Sequence, residues 1–279
     1  MRSTWVRRTL RASLGLLTVF ALVTRAPDAL AYRPFDGTDA AVAAVGEFEL
    51  ELGPVHYLGH PRAHYLLAPA TVLNLGLVQG LELVVDFKNY VAIDRVPNEE
   101  RVRLLDTDVF LKWVVRPGVL QDRKGLSVAL EFGPLTPEIN GEPTFGASML
   151  VIVSHQWQGG TVHFNQQAQY SRTGSYDLFE SIILEGPHDL VVRPVGEIYL
   201  EREIGQVTKM SALVGAIWGV GEGFDADVGL RAAREGDTPV AEVRLGFTWA
   251  IDVWSGQQEK ISGHGRLHRG AHGRWVALR

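Results

Sequence analysis

The sequence predicts an all-β chain that closes as a single antiparallel up-and-down transmembrane β-barrel of about twelve strands. Three observations carry this: a period-two alternation that persists from residue 46 to 251, breaks of Gly, Pro, Asn and Asp at regular intervals, and segments too long for a sandwich. About 206 residues over twelve strands leave roughly 17 per strand and connection, which suits a meander of strands about 10 to 13 residues long. Sandwich strands run nearer five or six.

The first strand, 46–58, is the clearest: Glu47, Glu49 and Glu51 fall on one side, Phe48, Leu50 and Leu52 on the other, where a helix would scatter them. A break at Gly59 to Arg62, with Pro61, separates it from 63–75. In 79–90, Leu81, Leu83, Val85 and Phe87 alternate with Glu82, Asp86 and Lys88; in 101–115, Leu105, Val109, Leu111 and Trp113 alternate with Asp106, Asp108 and Lys112. Segment 126–134 follows, and the turn pair Asn140–Gly141 precedes 144–156. Gly159 and Gly160 lead into 161–171, whose Thr161, His163, Asn165, Gln167 and Gln169 form a polar face. Segment 176–185 ends before Gly186 and Pro187, and 190–202 and 207–219 continue the pattern. Gly219, Gly221 and Gly223 have neither the following helix nor the Lys of a phosphate loop, so they read as a hairpin into 224–233. The last strand, 239–251, sets Val243, Leu245, Phe247, Trp249 and Ile251 against Glu242, Arg244 and Thr248. Helical periodicity after residue 31 is confined at most to Asp39–Val45.

Ahead of the barrel, Arg2, Arg7, Arg8 and Arg11 precede an apolar stretch from Ala12 to Thr24 and the small-x-small site Ala29–Leu30–Ala31, the pattern of a cleaved export signal. The domain reading is therefore a signal peptide at 1–31, a periplasmic leader at 32–45, the barrel at 46–252 and a basic flexible tail at 253–279. Removing residues 1–31 takes away five Arg and one Asp, leaving 22 basic and 31 acidic residues and a formal charge of −9. Five of the bases, Lys260, Arg266, Arg269, Arg274 and Arg279, lie in the tail, so the body is more acidic still, which excludes nucleic acid as a partner. The chain of 279 residues is 46% hydrophobic and 21% charged with no Cys, which excludes a disordered chain, a disulfide scaffold, a Cys nucleophile and an iron–sulfur cluster. Past the export signal no apolar run reaches the ~18 residues of a spanning helix.

Period two alone does not say which face is wet. Twelve strands exceed the eight of a lipocalin-like barrel. Tyr57, Tyr65, Tyr90, Trp113, Trp157, Tyr170, Tyr176, Trp218 and Trp249 fall near strand ends, where membrane-interface girdles lie. The polar face of 161–171 suits a wet lumen. An exported barrel with these features belongs in the outer membrane of a Gram-negative bacterium, in contact with its lipid and inserted by barrel-assembly machinery.

The run Arg33, Pro34, Phe35, Asp36, Gly37, Thr38, Asp39, Ala40, followed by Gly46, Glu47, Phe48, Glu49, Leu50 and Glu51, resembles the start of bacterial outer-membrane barrels of the phenol-degradation (MetA-pathway) transporter-like group. There a Thr-Asp-rich leader runs into a first strand with alternating Glu, and the likeness extends over most of residues 33–252. The resemblance implies a transporter-type barrel and supplies no catalytic or ligand residues. The tail from Ser255 to Arg279 departs from it.

If the Glu47 phase faces the lumen, the inward charges are Glu47, Glu49, Glu51, Glu82, Asp86, Asp106, Asp108, Glu131, Glu197, Glu201, Asp225, Asp227 and Glu242, against Lys88, Lys112, Arg193, Arg231 and Arg244. Such a lining makes a passive channel for a small solute with a preference for cations. Two alternatives use the same periodicity: a soluble periplasmic barrel binding a lipid or other hydrophobic ligand, and a structural barrel whose paired charges leave no pore. Ser148, Ser154, His155 and His163 are grouped on neighbouring strands but form no nucleophile motif, so no enzyme is predicted. His264, His268 and His272 are spaced four apart, yet Gly263, Gly265, Gly270 and Gly273 disfavour the helix that would align them on a metal. No cofactor is expected.

Overall fold

The computed structural model describes residues 33–254, except 96, 98, 99 and 206, together with the backbone of 268–269 and 275–276. The predicted export signal and most of the predicted tail, including His264 and His272, lie outside the described residues. The described residues form a closed barrel of twelve antiparallel strands in sequence order. These are β1 (Glu47–His60), β2 (Ala63–Val78), β3 (Leu81–Ala92), β4 (Val102–Arg116), β5 (Ser127–Leu135), β6 (Gly146–Trp157), β7 (Gly160–Tyr170), β8 (Tyr176–Glu185), β9 (Val192–Glu203), β10 (Thr208–Gly221), β11 (Phe224–Glu235) and β12 (Thr238–Asp252). Closure comes from β1 pairing with both β2 and β12, with Glu47 opposite Asp252 and Phe48 opposite Leu75. In the tail, β13 (His268–Arg269) pairs with β14 (Trp275–Val276).

The Gly219–Gly223 run makes the hairpin expected of it, with Gly223 at φ 68° between β10 and β11. Asp39–Val45 is irregular backbone rather than helix, and a short 3₁₀ turn, η1 (Val119–Gln121), lies in the β4–β5 connection.

The side chains are arranged inside out. Glu47, Glu49, Glu51, Glu82, Lys112, Glu197, Arg231, Glu242 and Arg244 are buried, whereas Val214, Ile198, Leu184, Leu230 and Met149 on the outer wall are more than half exposed. That is the reverse of a soluble barrel, whose apolar phase points inward, and it is the arrangement that a hydrocarbon solvent selects. Exposed aromatics sort by end. Trp113, Trp157 and Trp218 ring the end where β1 begins and β12 finishes, and Tyr57, Tyr170 and Tyr176 ring the other. Tyr90, expected in a girdle, instead lines the internal cavity.

Bulges alter the inward phase of β1, β2 and β4; in β2 the shift falls between Leu67 and Ala70. At Gly53–Pro54 the register of β1 shifts against β12, and inward positions change from odd (Glu47, Glu49, Glu51) to even (His56). At Asp106, where φ is +52°, β4 shifts against β3, so that Leu105 stands opposite Lys88 instead of on the outer phase expected of it.

Candidate functional site

The lumen is a polar concavity, and the chain's own leader runs through it. Residues 33–45, within the stretch expected as a leader, descend from mid-barrel to the start of β1. The leader pairs with no strand, so its backbone groups must find side-chain partners, since buried N–H and C=O groups are rarely left alone. Seven barrel side chains supply them. Glu197 accepts from two successive amides, Asp36 N–H at 2.9 Å and Gly37 N–H at 2.8 Å. Asn165 Oδ1 accepts from Thr38 N–H at 2.9 Å, and Ser154 Oγ from Ala40 N–H at 3.0 Å. Glu82 takes Ala43 N–H at 2.6 Å and Glu47 takes Ala44 N–H at 2.7 Å. Arg244 Nη1 donates to the Pro34 carbonyl at 2.7 Å and, from the β4–β5 connection, Gln121 Nε2 donates to the Ala40 carbonyl at 2.7 Å.

Ion pairs and packing complete the seat. Asp36 lies between Arg231 and Arg244, both of which also hold Glu242. Lys112 Nζ is 3.4 Å from both Asp39 and Glu82, and Arg33 Nε is 3.6 Å from Asp227. Phe35 packs on Val195 and Ile217, and Ala40 on Ala129, Leu150, Ile152 and Leu120. At Gly37 the leader comes so close to the wall that a β-carbon would lie 3.0 Å from Asn165 Nδ2 and closer still to Ser181 Oγ.

A cavity of about 470 Å³ remains between leader and wall, lined among others by Glu49, Glu51, Asp86, Lys88, Tyr90 and Glu131. A second, of about 230 Å³, lies against Gln167, Gln169, Asp177, Phe179 and Tyr199. Of the charges expected on the lumen wall, Glu47, Glu49, Glu51, Glu82, Asp86, Asp106, Lys112, Glu131, Glu201, Arg231, Glu242 and Arg244 line the larger cavity. Glu197 and Asp227 are buried against the leader. Asp108 is paired with Arg172, and Arg193 with Glu185 at 2.8 Å. Asp225 is half-buried near the β10–β11 hairpin.

Ser154, His163 and Glu185 form a buried relay: Ser154 Oγ to His163 Nδ1 is 2.8 Å and His163 Nε2 to Glu185 Oε1 is 2.9 Å. Ser148 is not part of it; its hydroxyl accepts from Gln167. The Ser154 hydroxyl is capped by Ala40 N–H and has no exposed surface, so the relay serves to orient an acceptor for the leader. In the β8–β9 connection, His188 Nε2 is 2.7 Å from Thr161 Oγ1 and Arg193 Nη1 is 3.4 Å from His188 Nδ1. Burial, followed by the charge of Arg193, holds the His188 imidazole below its ordinary value.

Gln121, Ser154, Asn165 and Ser181 are not legible in the sequence as a seat for the leader, nor are Phe35 and Ala40 as the leader residues that pack on the wall. The polar phase of β7 signals a wet face, but nothing in the pattern shows what occupies it. Among the described residues no three His, Asp or Glu side chains converge to hold a metal.

No family profile and no curated protein matches the sequence. Among solved structures the chain is similar to an outer-membrane channel from Pseudomonas putida F1, with 9% identity and a TM-score of 0.58 over 78% of this chain and 100% of that one. It is also similar to the KdgM porin in complex with disordered oligogalacturonate, with 11% identity and a TM-score of 0.51 over 73% of this chain and 99% of that one. At such identities the likeness is one of fold, and the fold is that of outer-membrane channel barrels.

Proposed function

We propose that the protein is a passive outer-membrane channel for small solutes, with an acidic, cation-preferring lumen narrowed by its own leader. The observation that carries this reading is a polar lumen whose wall is closed without the insert that occupies it. The leader is attached by side-chain hydrogen bonds and ion pairs and shares no strand ladder with the wall. Acids outnumber bases around the larger cavity, so cations are concentrated there and anions repelled. The leader motif Arg33–Ala40 and the Glu ladder after it support membership of the phenol-degradation transporter-like group. Cleavage after Ala31, insertion by barrel-assembly machinery and contact with outer-membrane lipid belong to the same reading, and no catalytic step is proposed.

A second reading, a structural barrel with no pore, is favoured by the leader's occupation of the lumen and by the engagement of Arg231, Arg244 and Lys112 in ion pairs. Planar-bilayer recording separates the two. The mature chain should conduct weakly with cation preference, and removal of residues 33–45 should raise conductance several-fold. Silence of both proteins, or anion preference in the shortened one, would overturn the channel reading.

A further inference from the structure

We propose that the carboxylate ladder Glu47–Glu49–Glu51 on β1 binds a linear aliphatic polyamine, a proposal that rests on the lumen being reached by solutes as described above. The anchor is Glu49. It is 8% exposed, faces the larger cavity, and has no hydrogen-bond or ion-pair partner among the described residues. The charges that bear on it most strongly are those of Glu51, Glu82, Glu47 and Asp39, all carboxylates. The basic side chains of the cavity are committed elsewhere: Lys112 to Asp39 and Glu82, Lys88 to Asp86 and Asp106, Lys209 to Glu201 and Glu235, Arg33 to Asp227, and His56, Arg231 and Arg244 to Glu242. A carboxylate taken from bulk water without a counter-charge is costly, and a bound cation relieves that cost.

The spacing selects the kind of cation. Alternate residues of a strand recur every ~6.5–7 Å on one face, so Glu47, Glu49 and Glu51 present a row of separated anions. A single metal ion needs its oxygens within ~2.0–2.6 Å at once, which a row so spaced does not provide. That agrees with the lack of a converging metal cluster among the described residues. Ammonium groups carried three or four methylenes apart on a flexible chain match the row one to one, and the 470 Å³ cavity admits such a chain.

The test is calorimetric titration of spermidine into the full-length mature protein in detergent, with 1-aminobutane and Mg²⁺ as competitors. Saturable binding of spermidine is expected, with 1-aminobutane at least tenfold weaker and Glu49→Gln raising Kd at least tenfold while heat-modifiable gel migration is retained. Glu51→Gln should shift Kd in the same direction and serves if Glu49→Gln fails to fold. Equal affinity of wild type and Glu49→Gln, equal affinity for 1-aminobutane, or displacement of spermidine by equimolar Mg²⁺ would overturn the site. The channel reading is separable: conductance without spermidine binding sinks this site alone, and binding without conductance sinks the channel alone.

Discussion

Glu197 accepts two hydrogen bonds from consecutive amides of the leader, a task for a carboxylate and not for an amide side chain. In Glu197→Gln one oxygen becomes an NH₂ facing an N–H donor, leaving a buried donor without an acceptor. We expect a loss of about 1–3 kcal/mol in leader seating, read as faster hydrogen exchange at residues 36–40 with the barrel amides unchanged. His188 carries a pH dependence. Its Nδ1 faces the Arg193 donor, so the neutral ring is the form the structure uses. Because its folded-state value lies below the unfolded one, the stability it lends is present above about pH 6.5 and is lost as pH falls through the folded value. Protection factors in the 186–191 connection, taken relative to the intrinsic exchange rate at each pH, should therefore fall between pH 7 and pH 5, and His188→Gln should abolish that dependence.

The leader and the bulges of β1, β2 and β4 decide what the strands present to the lumen. A strand's inward set can be read from sequence only while the pleat is unbroken. Glu47, Glu49 and Glu51 were legible for that reason, whereas His56 lies past the Gly53–Pro54 bulge and reaches the lumen on the opposite parity. Leu105 was misplaced by the same effect at Asp106. Tyr90 lies near the end of β3 like a girdle residue but on the inward phase, which proximity to a strand end does not disclose. The leader has no periodicity, so its path depends on close approach at single residues. Gly37→Val, whose side chain has no room against Ser181 and Asn165, should unseat it and raise bilayer conductance toward that of the leader-deleted protein.

At the scale of the whole molecule, the solvent that the outer wall meets is what the inside-out arrangement answers. Val214 is 65% exposed on that wall, midway along β10. Val214→Arg should destabilise the barrel by about 2–4 kcal/mol in vesicles, measured by denaturant unfolding followed by Trp fluorescence. A soluble barrel would tolerate the change within about 0.5 kcal/mol. The sorting of Trp to one end and Tyr to the other was likewise invisible in the residue list, because it requires knowing which turns share an end.

Strand number, order and closure were determined by the sequence alone, because period-two alternation and turn chemistry are local properties and a meander of even strand count has few ways to close. The acidic phase was readable for the same reason. Tertiary structure alone decided what fills the lumen. The leader's contacts join residues more than a hundred positions apart, such as Gly37 to Glu197 and Ala40 to Ser154, and no local pattern specifies a partner at that distance. It also decided which acids are engaged, as Glu197, Glu82 and Glu47 are by leader amides, and which, like Glu49, face the cavity without a partner among the described residues.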